Sequence, residues 1–330
     1  MRDQIERSIN PEKRSVIPMD LGILVRTMTP IFLLISLGFL SRKVHLLKSG
    51  DERVLSAYVY YFALPALFLI KLAETNFTVE LLSYILAGIL PIVVAIVLLL
   101  ISYQILHFSK ELLYLLILST TFGSLSFFGI PYITFAFPMS GAALATITSA
   151  FISPVSVIIT ITTLELYAAD TSGLWVALQT VLIRLTRNPL ILSIISGLLL
   201  SFTPIPIPSP LSSSLHMLGN TTATVAIFML GVFLYGRKYT KKLTAFKLSL
   251  LRIAFLPLVA LLTTSLFQLH ALQRSVLVLM HSMPVAISMI VLSERYAFFQ
   301  DIVPSLILFS SIGGTIMLNL WLLILSIFTS

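Results

Sequence analysis

The chain has no cysteine. That excludes disulfides, cysteine-ligated zinc, iron–sulfur clusters and thiol catalysis. Charge is nearly as scarce. Only 10% of the 330 residues are Asp, Glu, Lys or Arg, and residues 112–164 and 188–236 contain none over 53 and 49 positions. A soluble domain does not leave such lengths of apolar chain uncharged, whereas a bilayer crossing needs only about 20 apolar residues. Each charge-free block therefore holds two crossings and a short turn. No GxxxxGK[ST] phosphate loop is present, which argues against an ATP-driven pump. No Asp or Glu falls in the middle of an apolar segment, so neither an aspartyl protease dyad nor a carboxylate ion relay has an obvious residue. The GSLS stretch at 123–126 lacks the surroundings expected of an activated serine, so no enzyme is expected.

What is abundant is apolar residues: 58% of the sequence is hydrophobic, and the mean hydropathy is +1.03. These values define an all-α multi-pass membrane protein. Apolar stretches divided by turns and charge runs place ten spans near 21–41, 54–72, 81–106, 112–137, 141–165, 186–203, 213–235, 248–268, 273–294 and 303–328. Residues 1–20, with four bases and four acids, read as a polar tail and not as a signal peptide. Met19 is an alternative start just before the first span. Residues 166–185 form a connecting loop, with an interfacial helix over 172–187 anchored by Trp175.

Cations sort unequally between the two sides. Fourteen, including Arg42, Lys110, the RKYTKK cluster at 237–242 and Arg252, fall on one side; seven fall on the other. The richer side is expected in the cytoplasm of a cell's inner or plasma membrane, with both termini outside. The net charge of +8 is thus a topology and lipid-headgroup signal, and nucleic acid is not an expected partner. Glu165, Glu294 and Arg295 sit at span ends and read as interfacial.

The two halves, 21–165 and 186–330, resemble each other in register. Pro30 and Pro189 each precede a glycine by eight residues, Pro91 and Pro257 interrupt the third span of each half, and Pro131 and Pro284 interrupt the fourth. Five spans per repeat is an odd number, so the second copy enters the membrane inverted, an architecture common among secondary transporters. Proline removes a backbone N–H and clashes with the carbonyl four residues earlier. Spans four and nine are therefore expected to be broken helices. Freed carbonyls and helix ends cannot face lipid, so such breaks are buried or line a wet cavity. The second half-helix of each would aim its positive N-terminal end there, which suits an anion. The alternative is a plain proline kink in which the hydroxyls of the polar stretch, Ser119, Thr120, Thr121, Ser124 and Ser126, bond back to their own helix. His281, deep in span nine, is either a neutral imidazole bonded to a neighbouring helix or a group that titrates or touches substrate.

The segments YVYYFALPALFLIKLAE (58–74), FFGIPYITFAF (127–137), RNPLILSIISGLLLS (187–201), LGNTTATVAIFMLGVFL (218–234) and MPVAISMIVLSERYAFF (283–299) resemble, in order and spacing, the auxin efflux carrier family of membrane transporters. The resemblance implies ten spans as two inverted five-helix repeats, related to the bile acid–sodium symporter fold. It also implies a scaffold part, a transport part, and spans four and nine crossing at their breaks near the substrate. Members move small organic acids, often outward, and some form homodimers. The family usually has Asn seven residues before the span-four proline and four after the span-nine proline; here these positions are Ser124 and Ser288.

The expected function is an alternating-access permease for a small organic anion such as a carboxylate, without a cofactor or bound metal. Its expected site is Ser124, Gly129, Pro131, His281, Pro284 and Ser288, with proton or sodium coupling left open. Two alternatives are a sensor or scaffold that kept the fold without transporting, and a cation-coupled symporter of the bile acid type.

Overall fold

The computed structural model describes residues 21–75, 78–138, 141–168, 179, 183, 186–203, 207–236 and 239–329, with backbone alone for 21–28, 31, 223, 291, 294, 295 and 327–329. The N-terminal tail with Met19, the segment around Trp175, and the side chains of Glu294 and Arg295 lie outside what it describes. The described chain is helical and contains no strand.

In chain order the helices are α1 (Leu21–Lys43), α2 (Asp51–Ala73), α3 (Val79–Leu106), α4 (Lys110–Thr121), α5 (Leu125–Ala136), α6 (Gly141–Ala168), α7 (Pro189–Ser201), α8 (Ser209–Leu234), α9 (Lys242–Thr264), α10 (Ala271–His281), α11 (Met289–Tyr296) and α12 (Val303–Thr329). Among the described residues, six of them (α2, α3, α6, α8, α9 and α12) are long and apolar enough to cross a membrane. The starts of α3, α4 and α7 carry local signals. Thr78 and Ser109 accept hydrogen bonds from the amides of Leu81 and Leu112, each at 3.2 Å. The Asn188 carboxamide accepts from Leu190 at 3.0 Å, directly before Pro189 in the first turn of α7. These caps satisfy amides that helix geometry leaves without partners.

Among the described residues three helices contain a widened turn, and each stands just ahead of a proline. The amides of Leu64, Ile130 and Leu256 reach back five residues, to the carbonyls of Val59, Leu125 and Leu251, and each precedes a proline: Pro65, Pro131 and Pro257. A proline cannot donate and its ring presses on the preceding turn, so opening that turn by one residue relieves the clash. Pro91, inside α3, is accommodated without such a turn. Its match with Pro257 in the sequence is therefore not a match in local geometry.

Two packing groups follow from the contacts. The helices α1, α2, α7 and α8 pack chiefly on one another, with α1–α8 and α2–α7 the most extensive pairings. The other helices pack chiefly among themselves, α3 against α9 and α9 against α12 and α10. The two largest pairings are reciprocal. A methyl at Gly38 of α1 would lie 2.0 Å from the Phe228 carbonyl oxygen of α8, and one at Gly197 of α7 would lie 2.8 Å from that of Leu69 in α2. Gly38 and Gly197 are 159 residues apart, and so are Leu69 and Phe228. Gly231 completes the α1–α8 contact, its would-be methyl 2.0 Å from the Ile35 carbonyl oxygen. Within lipid, where apolar side chains gain little by leaving the solvent, such backbone-to-backbone contact supplies the dispersion attraction that joins helices.

Gly38→Ala and Gly231→Ala must each push α1 off α8, with an expected loss of about 1–3 kcal/mol of stability. Because both intrude on one interface, the double variant should lose less than the two single losses added together. Thermal unfolding of the detergent-solubilised protein measures both outcomes.

Candidate functional site at the crossing of two broken helices

The polypeptide running α4–α5 and the one running α10–α11 are both interrupted, and the interruptions meet. Phe122, Gly123 and Ser124 separate α4 from α5, and Ser282 to Ser288 separate α10 from α11. Gly123 and Val285 pair in antiparallel fashion. The Ser124 amide donates to the Pro284 carbonyl at 2.7 Å, and the Ala286 amide donates to the Phe122 carbonyl at 2.9 Å. Each break therefore satisfies backbone groups of the other. That resolves the difficulty of exposed peptide groups in an apolar interior.

The first break is not where its proline is. Pro131 lies near the start of the helical stretch Ile130–Ala136, after the widened turn Leu125–Gly129, and the chain departs from helix at Phe122–Ser124. The expectation that Pro131 sets the break is thus corrected: its ring is absorbed by the widened turn. Pro284 does lie within the second break. The bridge also fixes the correspondence between the two segments. Under the two-fold relation that exchanges its two hydrogen bonds, Ser124 corresponds to Ala286 and Ser126 to Ser288. Ser124 and Ser288 are consequently not equivalent positions. Ser124 is in the non-helical crossing segment, whereas Ser288 directly precedes α11.

Close contact at the crossing depends on two glycines. A methyl at Gly129 would be 2.7 Å from the Met280 sulfur, so the Met280 side chain of α10 packs directly on the backbone of α5. A methyl at Gly123 would be 1.7 Å from Nη2 of Arg252. That arginine was missed as a site residue in the sequence, where it was grouped with the cytoplasmic cations. The correction follows from where α9 starts. The helix begins at Lys242 and not near 248, so Arg252 lies ten residues in, about 15 Å along the axis. It is 1% exposed. Its Nε donates to the Met283 carbonyl at 2.8 Å, Nη1 to that of Thr120 at 2.9 Å, and Nη2 more weakly to that of Met280 at 3.5 Å.

The surrounding polar groups are mostly paired. Pro257 has no N–H for the Ile253 carbonyl, which instead accepts from Ser282 Oγ at 2.9 Å and Trp321 Nε1 at 3.0 Å. The Val285 amide donates to Ser310 Oγ at 3.1 Å. Ser119, Thr120 and Thr121 bond back to carbonyls of α4, so the polar stretch there is satisfied within its own helix. Ser126 and Ser149 share a hydrogen bond of 2.6 Å. At the far end of the second broken element, Tyr296 donates to Glu165 at 2.5 Å, which fits an acid at a span end.

Two of the expected site residues keep free valences in the interior. The hydroxyl of Ser124 is buried without a hydrogen-bond partner. His281 is fully buried at the end of α10, with Nε2 2.9 Å from the Gly88 carbonyl of α3 and Nδ1 unpartnered. Facing a carbonyl, Nε2 carries the proton, which leaves Nδ1 as an acceptor in the neutral ring. Ser288 is half-buried, and its hydroxyl does not cap α11.

An all-helical membrane chain in which two interrupted helices exchange backbone hydrogen bonds at mid-length has the organisation of a multi-pass transport protein. Residues 23–322 match the family described as membrane transport protein, that of the auxin efflux carriers, and the chain belongs to it. Comparison with curated proteins gives no significant match.

Ser310→Ala removes the acceptor of the buried Val285 amide. The expected cost is about 1–3 kcal/mol, the desolvation penalty of an orphaned N–H, measured as a lowered melting temperature of the purified protein.

Proposed function

We propose that this protein is a secondary transporter of a small organic anion, of the carboxylate class, working by alternating access. In this reading the ten predicted spans form two inverted five-helix repeats. The helices α1, α2, α7 and α8 serve as a scaffold, and the group built around the crossing carries the substrate. The reciprocal contacts Gly38–Phe228 and Gly197–Leu69, displaced by the same 159 residues, support the repeat. Membership of the membrane transport protein family supports transport as the activity.

The single observation that carries the site assignment is the mutual hydrogen bonding of the two breaks, with unpaired polar atoms left beside it on Ser124 and His281. Buried polar atoms without partners are uncommon in folded proteins and call for a ligand or water. An anion suits the position for two reasons. Arg252 brings a positive charge to the crossing, and no Asp or Glu among the described residues is buried to neutralise it. Ser124 and Ser288 offer hydroxyls to a carboxylate, and Gly129 leaves room for the helices to cross. His281 Nδ1 accepts a hydrogen bond from a substrate hydroxyl. The cation-rich side faces the cytoplasm of a cell membrane, and export is the direction the family resemblance favours.

Flux of a panel of labelled mono- and dicarboxylates into proteoliposomes tests the proposal. Saturable uptake of at least one is expected. Ser124→Ala and Ser288→Ala should each weaken its apparent affinity about tenfold, the equivalent of one lost hydrogen bond to a charged group. Ser126→Ala should leave it unchanged, because that hydroxyl is spent on Ser149. No saturable flux from folded protein, together with a carboxylate-dependent rise in melting temperature, would turn the assignment toward a sensor that binds without transporting.

A further inference from the structure

The carbonyls that receive the Arg252 guanidinium have an unusual origin. Thr120 lies in the last turn of α4, Met280 in the last turn of α10, and Met283 in the break that follows. The ends of two half-helices thus converge on one point, each with the negative end of its dipole and carbonyls of its last turn; the Met280 oxygen also accepts from the Met283 amide at 3.4 Å. Convergent backbone oxygens at helix breaks inside a membrane protein are the chemistry of a cation site. Oxygen ligands replace a hydration shell there, and half-helix C-terminal ends coordinate coupling ions. In this protein the position is filled by a side chain from a third element, α9, delivered through the widened turn at Leu251–Phe255. The fit is close enough that Gly123 has no space for a Cβ. A buried charge is costly unless compensated. Among the described residues no carboxylate is buried to do so, and the carbonyls are what hold the guanidinium.

We infer that Arg252 is a tethered counter-cation. Its guanidinium occupies a carbonyl site formed jointly by the two broken helices, in the place a dissociable cation would otherwise take, and so locks the crossing independently of dissolved cations. Without the side chain, the same oxygens form a site for a small monovalent cation, with guanidinium itself the best-shaped occupant. The inference concerns what holds the crossing together. It is read out by stability alone, so failure to find a transported substrate leaves it untouched.

The test is thermal unfolding of the full-length protein in detergent, in sodium, lithium, potassium or choline chloride at equal ionic strength, with and without low-millimolar guanidinium chloride. The parent protein should melt at one temperature in all four salts. Arg252→Ala should melt roughly 5–10 °C lower, as expected for loss of a buried charged partner, and should regain at least half of that loss with guanidinium. Ser310→Ala, which weakens the same crossing without emptying the site, should regain none. Stabilisation of the parent protein by sodium over choline would overturn the inference, as would an Arg252→Ala protein no more responsive to guanidinium or alkali cations than Ser310→Ala. Should Arg252→Ala fail to fold, the comparison passes to Arg252→Lys, which keeps the charge, and Arg252→Met, which keeps only the stem. A lysine variant clearly more stable than the methionine variant supports a tethered cation, and equal melting of the two rejects it.

Discussion

Backbone that leaves the helix inside an apolar slab must find hydrogen bonds within the protein, and the rest of this structure depends on how that demand is met. Two chain breaks meet, and the Ser124 and Ala286 amides each donate to the other segment. The groups this exchange cannot serve are served by side chains: Ser310 takes the Val285 amide, Arg252 takes three carbonyls, and Ser282 with Trp321 takes the carbonyl that Pro257 leaves unpaired. An interrupted helix in lipid costs several kcal/mol for every such group left alone. The density of these partners explains why polar residues concentrate at the crossing in a chain that is otherwise so apolar.

The same demand separates structural from functional polarity. Thr120, Thr121, Ser126 and Ser149 look like site residues by type, yet their hydroxyls are occupied. Ser124 and His281 differ because part of their hydrogen-bonding capacity remains unused in a buried setting. Accounting for partners, and not polarity as such, identifies which groups are available to a ligand.

Much of this was legible in the sequence because it follows from composition and spacing. Charge-free runs and prolines mark apolar helices, and the helix limits for α3, α6 and α12 agree with hydropathy to within a few residues. Breaks in two elements, Gly129 as a point of close approach and His281 as an interior residue were likewise accessible. The position of the first break was not, because a widened turn lies between it and Pro131, seven to nine residues on, and no residue type announces such a turn. Arg252 was misread for a related reason. It follows the Lys241, Lys242 and Lys247 run in the chain, so sequence adjacency assigned it to the membrane surface, whereas an earlier helix start carries it to the interior. Its partners are main-chain oxygens from distant segments, which have no side-chain signature.

Trp321 gives the crossing an unplanned property. The chain has two tryptophans. The indole of Trp321 is 5% exposed, and its N–H is committed to the Ile253 carbonyl, one residue from Arg252 and shared with Ser282 of the second break. An indole so enclosed and so bonded emits according to the polarity and hydrogen bonding of that one spot. The protein therefore carries an optical probe at its own fulcrum, and replacing Trp175 by phenylalanine would leave that probe as the sole source of tryptophan fluorescence.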